Sequence, residues 1–191
     1  MFADNIWWTR KARIQAEKRL LANAFQAQLL LIWYSFLSAA VSIYYLKATA
    51  SNFANVSWVA FSVLILSISG FINGLSYKER ANLIKECYES LQELYAQAIK
   101  KNANIEQISI RYQEILKTCE NHEDIDYSIA LCDTYLCHPS PKHHRRGLSK
   151  HPTCFIWVKV VFYYTKRCIA LAILYFLPIA MFIAMELGVA K

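Results

Sequence analysis

Residues 25–46, FQAQLLLIWYSFLSAAVSIYYL, and residues 53–77, FANVSWVAFSVLILSISGFINGLSY, contain no Asp, Glu, Lys or Arg. A bilayer core about 30 Å thick takes roughly 20 helical residues to cross, so each run is long enough to span it. Only KATASN (residues 47–52) separates them, and the pair reads as an antiparallel transmembrane hairpin with Trp33, Tyr44, Tyr45 and Trp58 as candidate interface anchors. The other reading is a buried helical pair in a soluble protein. The rest of the chain holds no apolar sequence of matching size to cover such a pair.

Composition points the same way. Of 191 residues, 56% are hydrophobic and 18% charged, which is apolar for a soluble chain. The net charge of +7 suits either a nucleic acid or membrane topology, so the position of the cations decides. Arg10, Lys11, Arg13, Lys18 and Arg19 precede the first run, and Lys78, Arg80 and Lys85 follow the second, while the connector carries only Lys47. The amino terminus and the middle of the chain are therefore expected in the cytoplasm of a multi-pass inner-membrane protein, and direct nucleic-acid binding is not expected. Residues 1–24 are too polar for a cleavable signal segment.

A third apolar run covers residues 155–190. Its stretch CIALAILYFLPIAMFIAM (168–185) is uncharged and contains Pro178, which predicts a kink. Trp157, Lys159, Tyr163, Tyr164, Lys166 and Arg167 form a collar at its start, and Lys166 and Arg167 are candidate contacts for anionic lipid or phosphate. A third span follows, with a re-entrant or surface-lying helix as the alternative. Glu186 then falls near the far interface.

The polar segments are helical by period. Tyr77, Ala81, Ile84, Tyr88, Leu91, Tyr95 and Ala98 make one seam at spacings of three and four, on a helix over 77–101 that prolongs the second span. Ile105, Ile108, Tyr112, Ile115 and Cys119 repeat the rhythm over 104–119, with Asn104 as N-cap and Gln107 at capping-box spacing. Over 2–24, Ile6, Ile14, Leu21 and Phe25 share one side of a basic helix that lies along these two or on the membrane surface. The expected class is an all-α integral membrane protein: hairpin, cytoplasmic helical bundle and third membrane helix.

CENHEDIDY (119–127) has the residue types of a metal or catalytic site. Zinc would draw on Cys119, His122, Cys132, Cys137 and His138, but no CxxC occurs, and adjacent residues such as Cys137 and His138 rarely hold one ion together. Glu123, Asp124 and Asp126 lack a second constellation for acid–base work. Neither a metal, a cofactor nor an enzymatic activity is expected. The segment reads instead as a helix junction formed by Asn121, His122, Asp124, Asp126 and Tyr127. In it Asn121 is the N-cap, Asp124 stands at N3, and Tyr127, Leu131 and Tyr135 continue an apolar face over 122–136.

Two further patterns stay open. Ser35, Ser38 and Ser42 share a face of the first span; Ser62, Ser69, Asn73 and Ser76 share one of the second, beside the GxxxG of Gly70 and Gly74. Such positions either pack helices closely or line a watery path between them, and packing is the commoner use. The segment 137–154 is basic, and Lys142, Arg145, Arg146 and Lys150 suit anionic headgroups or a phosphate-bearing messenger, the headgroups being the favoured partner. The chain has four glycines and no glycine-rich phosphate loop. Its six cysteines fall in cytoplasmic or membrane segments, so no disulfide framework is expected.

The order of RKARIQAEKRL, hairpin, YKERANLIKECYESLQELYAQ and ENHEDIDY resembles the SLATT family, the SMODS- and SLOG-associating two-transmembrane effector domains of bacteria. The resemblance covers most of residues 5–135, within a unit of residues 1–135, with Asn121, His122, Asp126 and Tyr127 its most specific piece. The third apolar run departs from the two-span plan and looks like an appended helix. The resemblance implies a membrane effector of antiphage defence and abortive infection that oligomerises and permeabilises the membrane when triggered, in concert with a partner protein or a nucleotide signal. A non-conducting anchor that recruits a partner through its helical bundle is the alternative.

Overall fold

The computed structural model describes residues 2–47, 52–100, 103–137 and 149–189. The described residues form helices α1 (Phe2–Lys47), α2 (Asn52–Gly74), α3 (Tyr77–Ala98), α4 (Ile105–Lys117), α5 (Asp124–Leu136) and α6 (Cys154–Val189), and no strand. Lys142, Arg145 and Arg146 lie outside the described residues, as does most of the connector KATASN. The chain divides into two compact units: Met1–Ala22 with Tyr77–Thr165, and Asn23–Ser76 with Lys166–Lys191.

In the first unit the start of α1 runs antiparallel to α3. Ile6 packs with Cys87, Leu91, Leu94 and Ile108, while Ala16 and Leu20 pack with Ala81 and Ile84. Each large aliphatic side chain buried this way stabilises the unit by roughly 1.5–3 kcal/mol. The α3 seam is the expected one, with Cys87 and Leu94 added to it. The α1 seam differs from expectation. It is Ile6, Arg13, Ala16 and Leu20, whereas Ile14 is only half-buried and Leu21 and Phe25 are exposed. Arg13, counted with the basic remainder of this helix, sits 1% exposed in the middle of the seam.

Asn104 caps α4 as expected, its Oδ1 accepting the Gln107 N–H at 3.2 Å, but Ile105 is exposed. Helix α5 is buried on several sides, through Ile125, Asp126, Ser128, Ala130, Leu131 and Cys132. The first turns of α6 cover part of it: Ile156, Trp157, Val160 and Tyr163 pack on Ile125 and Cys132. Trp157 and Tyr163 thus serve as packing residues, where a membrane-interface collar was expected.

The second unit is the hairpin with the end of α6. Val41, Trp58, Phe61 and Ile65 form its core, lined by Tyr34, Met181, Phe182 and Met185. Trp58, expected at the interface, is buried and donates its indole N–H to Ser38 O at 3.1 Å. Pro178, fully buried, cannot donate to the carbonyl of Leu174 four residues back. The Tyr34 hydroxyl donates to that carbonyl at 2.8 Å, and the Trp33 indole donates to Tyr175 O at 3.0 Å. Trp33, also expected at the interface, therefore helps join α1 to α6.

α1, α2 and α6 are each long and apolar enough to cross a membrane. Only 11%, 11% and 6% of their most apolar windows is buried within the protein, which disfavours the soluble buried-pair reading and leaves side chains such as Ile32, Phe36, Leu66, Phe71 and Phe176 to lipid. The second span does not run on into α3. Leu75 N–H and Ser76 N–H bond to Ile72 O and Asn73 O, tightening the last turn, and Ser76 takes a left-handed φ of 45°.

Candidate functional site

The serine stripes meet in the second unit. Ser38 and Ser62 share a hydroxyl hydrogen bond of 2.7 Å, and each hydroxyl network is closed locally by Ser42 donating to Ser38 O and Ser62 donating to Trp58 O. Beside this contact Ser35, Ser38, Ser42, Ser62 and Ser69 line one groove of about 400 Å³, with Ala39 and Leu66 among its walls. Among the described residues nothing fills it. Asn73 and Ser76 do not belong to the groove: Asn73 is exposed and Ser76 lies past the end of α2. The GxxxG is likewise no contact within the chain, because a Cβ built at Gly70 or Gly74 meets nothing within 4 Å.

The CENHEDIDY junction lies in the first unit and starts α5 later than expected. Glu123 is the N-cap, and Asp126 stands at N3 with its Oδ2 accepting the Glu123 N–H at 2.9 Å. Asn121, expected as the cap, is exposed and its Oδ1 accepts the N–H of His122. The cap moves because Asp126 satisfies the first free N–H while Arg19 neutralises its charge. Arg19 donates to Asp126 from Nε at 2.9 Å and from Nη2 at 3.1 Å, and reaches Glu123 at 2.8 Å. Asp126 is completely buried. Burial works against the Arg19 charge, but the Asp126 hydrogen bonds and the nearby carboxylates outweigh it and hold the guanidinium above its ordinary value.

Arg13 meets the other side of the junction. Its Nη1 donates to Cys87 Sγ at 2.9 Å and makes a short contact with Cys119 Sγ. Cys119, expected as the last apolar residue of a seam, is therefore a polar partner as well. His122 is held below the usual imidazole range, first by burial and then by the Arg13 charge, against the opposing pull of Asp126 and Asp124. Next to it is a cavity of about 240 Å³, with Trp8, Thr9, Tyr112, His122, Tyr127 and Lys150 in its wall. The Lys150 ammonium sits 5.5 Å from the centre of the Tyr127 ring, and Thr9 and Tyr112 share a hydroxyl hydrogen bond of 2.8 Å.

Sequence reasoning found the junction and missed its partners. Arg13 and Arg19 count as topology-setting cations when read along the chain; Arg13 stands on the seven-residue rhythm Ile6, Arg13, Leu20 that could have singled it out, and Arg19 carries no such signal. Lys150 is the described member of the basic segment, and it faces an aromatic ring.

No curated protein and no solved structure matches the chain. One family model does match, and it covers residues 2–185, so most of α6 lies inside the match and is not an addition to it. With its apolar helices, its polar junction and that match, the chain belongs to SMODS and SLOG-associating 2TM effector domain family 5.

Proposed function

We propose that this chain is a non-enzymatic effector of a bacterial defence system that self-associates in the inner membrane and permeabilises it when triggered, ending in abortive infection. The observation that carries this reading is the groove lined by Ser35, Ser38, Ser42, Ser62 and Ser69, which no described part of the chain fills. Ser38, Ser42 and Ser62 donate within the hairpin, so what the groove offers a second copy or a file of water is their remaining lone pairs together with the hydroxyls of Ser35 and Ser69. The exposed Gly70 and Gly74 offer a second copy a close approach on α2. The cations flanking the hairpin favour the first unit in the cytoplasm. A nucleotide signal suits the cavity by Lys150, whose ammonium beside the Tyr127 ring offers a partner for phosphate.

The test is dye release from liposomes holding the full-length protein with its defence-system partner or a nucleotide mixture as trigger. Release is expected from wild type, and Ser38→Val with Ser69→Leu should lower it at least about ten-fold, a transition-state-scale change of about 1.4 kcal/mol. Chemical cross-linking run in parallel reports association. Cross-linked oligomers that retain dye under every trigger would leave the chain a non-conducting anchor for a partner protein.

A further inference from the structure

A buried guanidinium needs a counter-charge, because an unpaired ion in a protein interior is among the most unfavourable things a fold can contain. Arg13 is 1% exposed, yet the hydrogen bonds it makes go to Cys87 Sγ, Cys119 Sγ and, at 3.5 Å, the Glu120 carbonyl. No carboxylate pairs with it among the described residues, whereas Arg19, one helical turn and a half away, has two. The groups touching Arg13 that can become anions are the two thiols. A thiol pair sharing one proton beside Arg13 Nη1 gives the guanidinium its counter-charge: the Cys87 sulfur carries the charge, Cys119 S–H donates to it, and Arg13 Nη1 donates from the other side.

The neighbours support that assignment. Cys119 hydrogen-bonded to Cys87 and Arg13 beside it favour the Cys87 thiolate, and against the cost of burial this thiol comes down to about 7. The same hydrogen bond and burial push Cys119 up. One contact opposes: Cys87 Sγ also lies 3.5 Å from Ile115 O, which favours the protonated form. A neutral carbonyl at that distance is weaker than a guanidinium at 2.9 Å. The remaining charged groups nearby are His122, kept neutral by burial and by Arg13, and Glu120, whose carboxylate is engaged by Arg80 at 2.6 Å.

We infer that Cys87 and Cys119 form a reversible oxidation site for a small hydroperoxide, closing into a disulfide that ties α3 to the end of α4 and removes the counter-charge of Arg13. In the first step the Cys87 sulfur attacks a peroxide oxygen; the O–O bond breaks, the sulfur becomes a sulfenic acid, and hydroxide leaves. In the second step the Cys119 sulfur attacks the Cys87 sulfur, the S–O bond breaks, and the oxygen departs as water with the Cys119 proton. Two thiols and one hydrogen peroxide thus give one disulfide and two waters. Cys87 is buried and Cys119 half-buried, so the oxidant has to be small; a bulky disulfide is shut out while Cys137, exposed, is open to it. A neutral disulfide leaves Arg13 without an anion, which loosens the α1 seam from α3.

The experiment uses the full-length protein in detergent, treated with stoichiometric hydrogen peroxide or with oxidised glutathione. Peptide mass spectrometry reads the products, and hydrogen exchange reads residues 2–22. Peroxide is expected to yield a Cys87–Cys119 linked peptide reversed by dithiothreitol, and glutathione to modify Cys137 but not the pair. The rate should rise with pH through a midpoint near 7 rather than the ordinary thiol range near 8.5. At pH 6 the gain in thiolate over an ordinary cysteine is about 30-fold and the loss of intrinsic nucleophilicity about 5-fold, so the pair should react roughly six times faster. Arg13→Met should abolish that advantage; should the variant not fold, the wild-type pH profile decides alone. Exchange over residues 2–22 should quicken on oxidation in wild type and not in Cys119→Ser. Absence of the linked peptide, or oxidation that runs on to the sulfinic acid, overturns the site. A midpoint near 8.5 overturns the role of Arg13, and unchanged exchange overturns the link to α1.

Discussion

Replacing Asp126 with alanine removes a completely buried carboxylate that accepts two hydrogen bonds from Arg19, at 2.9 and 3.1 Å, and one from Glu123 N–H at 2.9 Å. Breaking a buried pair from one side costs about 3–5 kcal/mol, because the surviving charge is left uncompensated. Arg19 is not wholly abandoned. It keeps Glu123 at 2.8 Å and its side chain is 14% exposed, so the charge part of the penalty falls to about 2 kcal/mol. Loss of the α5 cap adds about 1 kcal/mol. The sum, about 3 kcal/mol, lowers the folded-to-unfolded ratio of the first unit roughly 150-fold. Thermal unfolding of the detergent-solubilised protein, with hydrogen exchange over α5, measures it. Glu120→Ala is the comparison, since its ion pair with Arg80 is 37–39% exposed and worth less than about 1 kcal/mol. The double variant Arg19→Met, Asp126→Leu should be less damaged than Asp126→Ala, because it buries no orphaned charge. If Asp126→Ala is as mild as Glu120→Ala, the junction is not held by this pair and the argument fails.

Three other outcomes follow from the same contacts. Tyr34→Phe strips the Leu174 carbonyl of its donor and should cost about 1 kcal/mol in thermal stability; in a Pro178→Ala background, where a backbone N–H can return, the cost should shrink, and an equal cost in both backgrounds would show that Tyr34 does not substitute for that N–H. His122 is depressed in the folded state, so the unfolded chain binds the proton first: stability is fully present above pH of about 6.5 and declines as pH falls below it. His122→Gln should flatten that decline in pH-dependent melting curves, and an unchanged slope would assign it to other groups. Ser76 occupies a left-handed conformation that glycine adopts without penalty, so Ser76→Gly should raise stability by up to about 1 kcal/mol and Ser76→Val should lower it, both read by thermal melting.

The spans were legible because hydrocarbon demands long uncharged runs, and nothing else in a chain of this size does. The α3 seam was legible for a related reason: its inward positions are filled by apolar side chains at every turn from Ala81 to Leu94. The α1 seam was misread where a charge stands in it. An apolar search skips Arg13 and drifts to Ile14, rotating the helix by about 100°. Asp126 was misread for want of its partner: as a neighbour of Glu123 and Asp124 it looks like another helix-end charge, and Arg19, which buries it, stands 107 residues earlier. Trp33 and Trp58 fit the pattern of interface anchors, but their indole N–H groups are spent on carbonyls inside the second unit. The serine stripe was legible as far as Ser69; Ser76 left it because periodicity cannot foresee that α2 ends at Gly74.

Pro178 has a mechanical meaning. A helix whose carbonyls are all satisfied can slide past its neighbour in steps of one turn, about 5.4 Å, trading one set of apolar contacts for another. α6 cannot do so against α1 without losing two donors at once, because Tyr34 reaches the Leu174 carbonyl that Pro178 leaves without an N–H and Trp33 reaches the neighbouring Tyr175 carbonyl. Within the second unit the third span is therefore held at that height, and Met181, Phe182 and Met185 hold it further by packing on the hairpin core.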